Sequence, residues 1–192
     1  MNLVLASSSA YRRALLERLG IPFTCDSPDI DETRRSGEPP HDLAMRLARG
    51  KAEHVAARSP DSLVIGSDQL AELDGDVIGK PGTPENAVRE LQRMSGRTVQ
   101  FITAIAVLDT ASRVLQEHVD VTRVTFRALD EATIARYVEL ESPIDCAGAI
   151  KSEGLGIALL ERIESQDPSA LVGLPLIRLA QMLREGGLDP LG

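Results

Sequence analysis

Ser7-Ser8-Ser9-Ala10-Tyr11-Arg12-Arg13 sets three hydroxyls and two permanent cations side by side near the start of the chain. Arginine forks and hydroxyls suit phosphate oxygens. The run lies between Asn2-Leu3-Val4-Leu5-Ala6, apolar and bounded like a buried strand, and Leu15, Leu16 and Leu19 at helical spacing, closed by Gly20. A strand-to-helix loop of this kind offers free backbone N–H groups and the positive end of a helix dipole to an anion. Taken alone, the same residues also read as an N-cap serine followed by surface arginines, because short motifs match by chance.

Five further places hold residues out of keeping with their surroundings. On a helical wheel of about 100° per residue, Leu43, Ala44, Leu47, Ala48 and Val55 form an apolar face with Lys51 near its middle, and Arg46, Arg49 and Glu53 lie opposite. A lysine there is costly unless paired. It either snorkels near the helix end or points inward at an anion, and we read it as inward. On that reading Lys51→Met preserves or raises stability, since an apolar group of similar length replaces an inward charge. Asp68 follows the strand-like Leu63-Val64-Ile65 within Gly66-Ser67-Asp68-Gln69, and Gly66 removes bulk just where the carboxylate appears. Ligands of α/β sheets gather beyond strand carboxyl ends. Asp68 is therefore a general base or a metal ligand, or else a turn aspartate satisfied by nearby N–H groups.

Gly79-Lys80-Pro81 projects Lys80 from a turn, with Thr83 capping the helix that starts at Pro84-Glu85. The same turn also suits plain surface. Glu32 sits in the polar, irregular stretch Asp29 to Pro40, which reads as a mobile loop, so it is a site acid or a solvated charge. Gly148, Gly154 and Gly156 around Lys151 and Glu153 imply close backbone approach. Their spacing matches neither a phosphate-binding loop nor a dinucleotide fingerprint.

Alternating elements must position these residues. The patterns predict strands at 2–6, 22–26, 62–71, 98–108, 114–126 and 155–163, and helices at 10–19, 40–58, 84–94, 130–139 and 174–185. Such alternation implies an α/β sheet flanked by helices. Turn signals at Thr110-Ala111-Ser112 and Asp74-Gly75 make hairpins, and so a mixed sheet. With 192 residues and no repeat or linker, we expect one domain over 1–192. A net charge of -8 argues against a general nucleic-acid or membrane surface, but not against a small anion held in a local basic pocket. Hydrophobic residues make up 43% of the chain, no apolar run is long enough to span a bilayer, and polar residues follow Ala6 at once. We expect a soluble protein without a signal peptide. The two cysteines, Cys25 and Cys146, fit a reduced cytoplasmic setting and leave structural zinc improbable.

Together these segments resemble the Maf family of nucleoside triphosphate pyrophosphatases, once known as septum-formation inhibitors. The resemblance covers nearly the whole chain. It rests on Ser7-x-Ser9-x-x-Arg12-Arg13, Asp31-Glu32-Thr33, Lys51-Ala52, Gly66-Ser67-Asp68-Gln69, Gly79-Lys80-Pro81, Ala147-Gly148 and Leu171-Val172-Gly173-Leu174-Pro175. Asp68-Gln69 with Lys151-Ser152-Glu153-Gly154 looks most like the branch that hydrolyses 7-methyl-GTP, whereas the dTTP and UTP branch usually has Asp-Thr at the first place. Ala10 stands where the family commonly has proline, and Tyr11 where the branch often has tryptophan.

The resemblance implies a long twisted mixed sheet flanked by helices, with two lobes and a deep cleft, as in ITPase-like folds; dimers are common in the family. It implies Asp68 as proton acceptor. Ser7, Arg12, Glu32, Lys51 and Lys80 match phosphate and metal-site positions, with Glu32 and Asp68 as ligands of Mg²⁺ or Mn²⁺. Tyr11, Gln69 and Glu153 match specificity positions. The chemistry is consistent: a triphosphate's charge meets Arg12, Lys51 and Lys80, and hard cations prefer oxygen ligands. The cationic 7-methylguanine would gain from the Tyr11 face and from the Glu153 carboxylate. Two alternatives are a dTTP/UTP pyrophosphatase of the same family and a nucleotide-binding regulator of cell division without catalysis; the latter needs no carboxylate at Asp68.

Overall fold

The computed structural model describes residues 1–192. Its elements run β1 (Asn2–Ala6), α1 (Ala10–Glu17), β2 (Thr24–Cys25), α2 (Pro40–Ala56), β3 (Ser62–Leu73), β4 (Asp76–Ile78), α3 (Pro84–Met94), β5 (Thr98–Asp109), β6 (Leu115–Phe126), α4 (Glu131–Glu141), β7 (Leu160–Glu164) and α5 (Leu176–Glu185). The fold is mixed α/β. Seven strands form one sheet in the order β2-β1-β3-β5-β6-β7, with β4 added to β3. β1 runs parallel to β2 and to β3, while β3–β4 and β6–β7 are antiparallel.

Local chemistry explains the boundaries. Ser9, Thr83 and Asp130 cap α1, α3 and α4 with their side chains. The hairpin turns at Asp74-Gly75 and Thr110–Ser112 appear where expected. Two expectations are corrected. The strand foreseen at 22–26 shrinks to Thr24–Cys25 on the sheet edge, because Pro22 has no N–H for a ladder. The strand foreseen at 155–163 begins only at Leu160, since Leu155–Leu159 coils into a 3-10 turn. The strand foreseen at 62–71 is β3, which carries Asp68 within it and runs on to Leu73.

The chain divides into two compact units. The first comprises Met1–Asp68, Thr103–Asp120 and Asp167–Gly192; the second comprises Gln69–Ile102 and Val121–Gln166. In the first unit, alternate residues Leu3, Leu5, Leu63, Ile65, Ile105 and Val107 pack with Leu15 and Leu16 of α1 and with Leu176, Leu179, Met182 and Leu183 of α5. The other face of the sheet receives α2. In the second unit, α3 packs against α4.

Candidate active site

The register of β1 and β3 creates the space for a site. Ala6, the last residue of β1, pairs with Gly66. Beyond that point β3 continues without its parallel neighbour, so Ser67 and Asp68 lie level with the loop that leaves β1. Gly66 then brings α2 down onto the strand. A β-carbon at Gly66 would lie 2.1 Å from the Ala48 carbonyl oxygen and 2.7 Å from the Ala52 nitrogen. Only glycine allows helix backbone to rest on strand backbone at this distance.

Lys51 is carried to Asp68 by that contact. Its Nζ lies 2.6 Å from Asp68 Oδ1 and 2.7 Å from Glu32 Oε1. Lys51 is 7% exposed and Asp68 8%. The lysine is inward and paired, and it does not snorkel. Its anionic partners are two of the chain's own carboxylates. That pairing corrects the expectation that Lys51→Met would leave stability intact, because removal strands a buried acid.

Glu32 is presented by a loop that the sequence reads as mobile and that the structure pins. Arg46 grips Glu38 with both ends of its fork, Nε to Oε1 at 2.6 Å and Nη2 to Oε2 at 2.9 Å. The same Nη2 donates to the Thr33 carbonyl at 3.0 Å, and Arg34 Nε to the Glu38 carbonyl at 2.9 Å. Thr33 N donates to Asp31 Oδ1 at 2.9 Å. Hydrogen bonding from Arg46 holds the Glu38 carboxyl down to about 2.

Across the sheet, the hydroxyls of the first loop build its shape. Ser7 is buried, and its Oγ accepts from Ser9 N at 3.1 Å. Ser9 Oγ accepts from Arg12 N at 3.3 Å. Tyr11 is half-buried in the first turn of α1. Arg12 Nε donates to the Gly173 carbonyl at 3.0 Å. Burial lowers the pKa of Arg12, while the charges of Asp68 and Glu32 pull it back up; a guanidinium keeps its proton regardless. Strand alternation directs Ser67 to the α1 and α5 side and Asp68 to the α2 side. Arg12 and Lys51 thus approach from opposite faces of the sheet, around the end of β1.

Ser7, Tyr11, Arg12, Glu32, Lys51 and Asp68 belong to the first unit. Gln69, Lys80 and Glu153 belong to the second. Gln69 follows Asp68 in β3 and points to the other face. Lys80 is exposed on a turn braced by Gly148 N donating to Gly79 O at 3.1 Å and Gly82 N to Ile144 O at 2.9 Å. Glu153 is exposed and accepts from Ser152 Oγ at 3.3 Å. The glycines near it approach the chain itself. A β-carbon at Gly154 would lie 2.6 Å from Glu141 Oε1, and Lys151 Nζ donates to the Glu141 carbonyl at 2.6 Å.

Sequence reasoning gave no role to Ser67, Gly173, Asp167 or Ser169. Ser67 Oγ donates to the same Gly173 carbonyl as Arg12, at 3.0 Å. Buried Asp167 accepts from Ser169 N at 3.0 Å and Ile177 N at 2.7 Å, so it caps α5 from outside the helix. An Asp-x-Ser pair shortly before a Gly-x-Pro helix start was the available signal.

Positive charge on Arg12 and Lys51 with two carboxylates can grip a polyphosphate and activate water beside it. The donor set also fits a hard divalent cation. Asp68 and Glu32 are oxygen ligands, and Mg²⁺ commonly takes one or two carboxylates with the remainder from substrate phosphates and water. No group of three or more His, Cys, Asp or Glu side chains forms a complete protein cage for a metal.

Known proteins resemble this chain over most of its length. A curated Pseudomonas aeruginosa protein named 7-methyl-GTP pyrophosphatase is 54% identical over 188 residues, 98% of each chain. A Mycobacterium abscessus structure described as a nucleoside-triphosphatase, or dITP/XTP pyrophosphatase, aligns at a TM-score of 0.43 and 17% identity, over 67% of this chain and 76% of that one. The family model described as Maf-like protein matches residues 2–186, which include every residue of the cation–carboxylate cluster, and on that match the chain belongs to the Maf family.

Proposed function

We propose that this chain is a nucleotide pyrophosphatase that hydrolyses 7-methyl-GTP to 7-methyl-GMP and pyrophosphate, removing a modified nucleotide. The observation that carries the reading is the buried Lys51 held between Asp68 and Glu32. The 54% identity to a relative of that name supports the choice of substrate.

Arg12 and Lys51 bind the triphosphate and neutralise its charge. Lys51 fixes the Asp68 carboxylate by one oxygen, Oδ1. In the reaction Asp68 accepts a proton from a water whose oxygen attacks the α-phosphorus. The bond from that phosphorus to the bridging oxygen breaks, and pyrophosphate leaves against the cations. Glu32 and Asp68 would hold Mg²⁺ or Mn²⁺, which supplies charge neutralisation at the phosphate oxygens. Because the same two carboxylates pair with Lys51, a bound cation would compete with its ammonium for them. Tyr11, Gln69 and Glu153 are assigned to base recognition and Lys80 to phosphate binding, on their match to the family positions. No helix is long and apolar enough to cross a membrane.

The test is pyrophosphate release from 7-methyl-GTP, GTP, dTTP and UTP at equal subsaturating concentration, with Mg²⁺, with Mn²⁺ and in excess chelator. The expected result is fastest release from 7-methyl-GTP, lost in chelator and restored by the metal. Faster turnover of dTTP or UTP overturns the substrate. Stepwise orthophosphate release overturns the reaction. Absence of turnover on every nucleotide favours a binding protein.

A further inference from the structure

Arginine is useful to a phosphate only if its fork is aimed. In this chain one backbone carbonyl does the aiming. Gly173 O accepts Arg12 Nε and Ser67 Oγ, each at 3.0 Å. Binding through Nε uses the donor nearest the stem and turns the paired terminal nitrogens outward. Ser67 is fully buried, and its hydroxyl immediately precedes Asp68 in β3. One carbonyl therefore joins the strand that carries the acid to the side chain that carries the cation.

The carbonyl is itself held firmly. Gly173 has φ 118 and ψ 8, a backbone state that residues with a β-carbon rarely adopt. A β-carbon there would meet Arg12 Nε at 3.5 Å, an ordinary contact, so conformation and not space requires the glycine. On one side of it, Thr103 Oγ1 donates to Ala170 O at 2.9 Å. On the other, Ser169 Oγ lies 2.9 Å from Leu174 O and 2.6 Å from Asp167 Oδ1, and accepts from Leu176 N at 2.8 Å. The loop is braced before and after the residue whose carbonyl matters.

We propose that Ser67 and the Gly173 carbonyl form a bracket that positions Arg12 for the substrate phosphates, making Ser67 a positioning residue of the site. The proposal deepens the pyrophosphatase reading and rests on it for the identity of the anion.

The experiment combines Ser67→Ala, Arg12→Lys and the double variant with an NMR readout of the Arg12 Nε–Hε group. Arg12→Lys keeps the charge but loses the planar fork. Loss of one ordinary hydrogen bond predicts that Ser67→Ala lowers kcat/KM about three- to tenfold. In the Arg12→Lys background the same change should cost less than about twofold, because its target is gone. Equal losses in both backgrounds mean that Ser67 is merely structural and overturn the bracket. The Hε proton of wild type should exchange slowly with solvent, and more quickly in Ser67→Ala. An Hε signal that exchanges rapidly in wild type, or that is unchanged in Ser67→Ala, overturns the bracket without reference to turnover. If wild type hydrolyses no nucleotide, the functional reading fails while the Hε measurement still judges the bracket.

Discussion

Lys51→Met should unfold at lower temperature than wild type, although it replaces a charge on an apolar helix face by an apolar group. Lys51 and Asp68 side chains are only 9% and 12% exposed, and their atoms meet at 2.6 Å. Removing one member of a buried ion pair costs about 3–5 kcal/mol, because the other charge is left in a poor solvent. Methionine packing against Leu47, Ala48 and Val55 returns roughly 1–2 kcal/mol of that, leaving a net loss of about 1–4 kcal/mol. For a chain of this size about 2–4 °C accompanies each kcal/mol, so Tm should fall by roughly 2–16 °C, with a midpoint near 7–8 °C. Adding Asp68→Asn removes the stranded charge and should recover about half of the loss, a non-additive result expected of residues in contact. Thermal melts followed by circular dichroism on the two single variants and the double variant measure each quantity. A Lys51→Met protein as stable as wild type, or strictly additive changes, would refute the reasoning.

Asp68→Asn should lose at least about 10²-fold in kcat, the scale of a lost general base, while staying folded because Lys51 keeps Glu32; retention of more than a tenth of wild-type kcat would remove Asp68 from that role. Glu38→Gln should reveal a pH-dependent brace. The Glu38 carboxyl ordinarily titrates near 4.5 and is held at about 2, so its stabilisation is fully present above 4.5 and is lost as pH falls towards 2. The stability gap between wild type and Glu38→Gln in denaturant melts should therefore be widest above pH 4.5 and close near pH 2; a gap independent of pH would show that Arg46 does not brace the loop through this charge. Tyr11→Ala and Glu153→Ala should each narrow the ratio of kcat/KM for 7-methyl-GTP over GTP, since the cation–π share alone is ~0.5–2 kcal/mol; an unchanged ratio in both would free those residues from base recognition.

The chemistry at Lys51 was legible because one helical period defines a face, and a cation on that face needs a reason. The helix boundaries were legible from Ser9, Thr83 and Gly20, whose roles are local. Partners were not legible. That Lys51 meets Asp68 and Glu32 depends on α2 lying over β3, a pairing of segments that no periodicity encodes. Gly66 was read as room made for the Asp68 carboxylate. Its actual cause is a helix backbone on the neighbouring layer. The loop from Asp29 to Pro40 looked mobile from polarity alone, yet that polarity is consumed by Arg46, Glu38 and Thr33 bonding to one another. Asp167 went unnoticed because it caps α5 across an intervening loop, outside the range of local capping rules.

The backbone contact at Gly66 sets how this protein should fail on heating. Many active sites sit on loops that come loose before the rest of the molecule, so inactivation precedes melting. Here Lys51 is delivered by a helix whose backbone rests on the strand carrying Asp68, with Ala48 and Ala52 filling the seam. Lifting α2 from the sheet carries Lys51 away from Asp68. Loss of activity and loss of the α2 interface are then one event. A heat-inactivation curve should overlay the unfolding curve, and a ligand that tightens the site should delay both together.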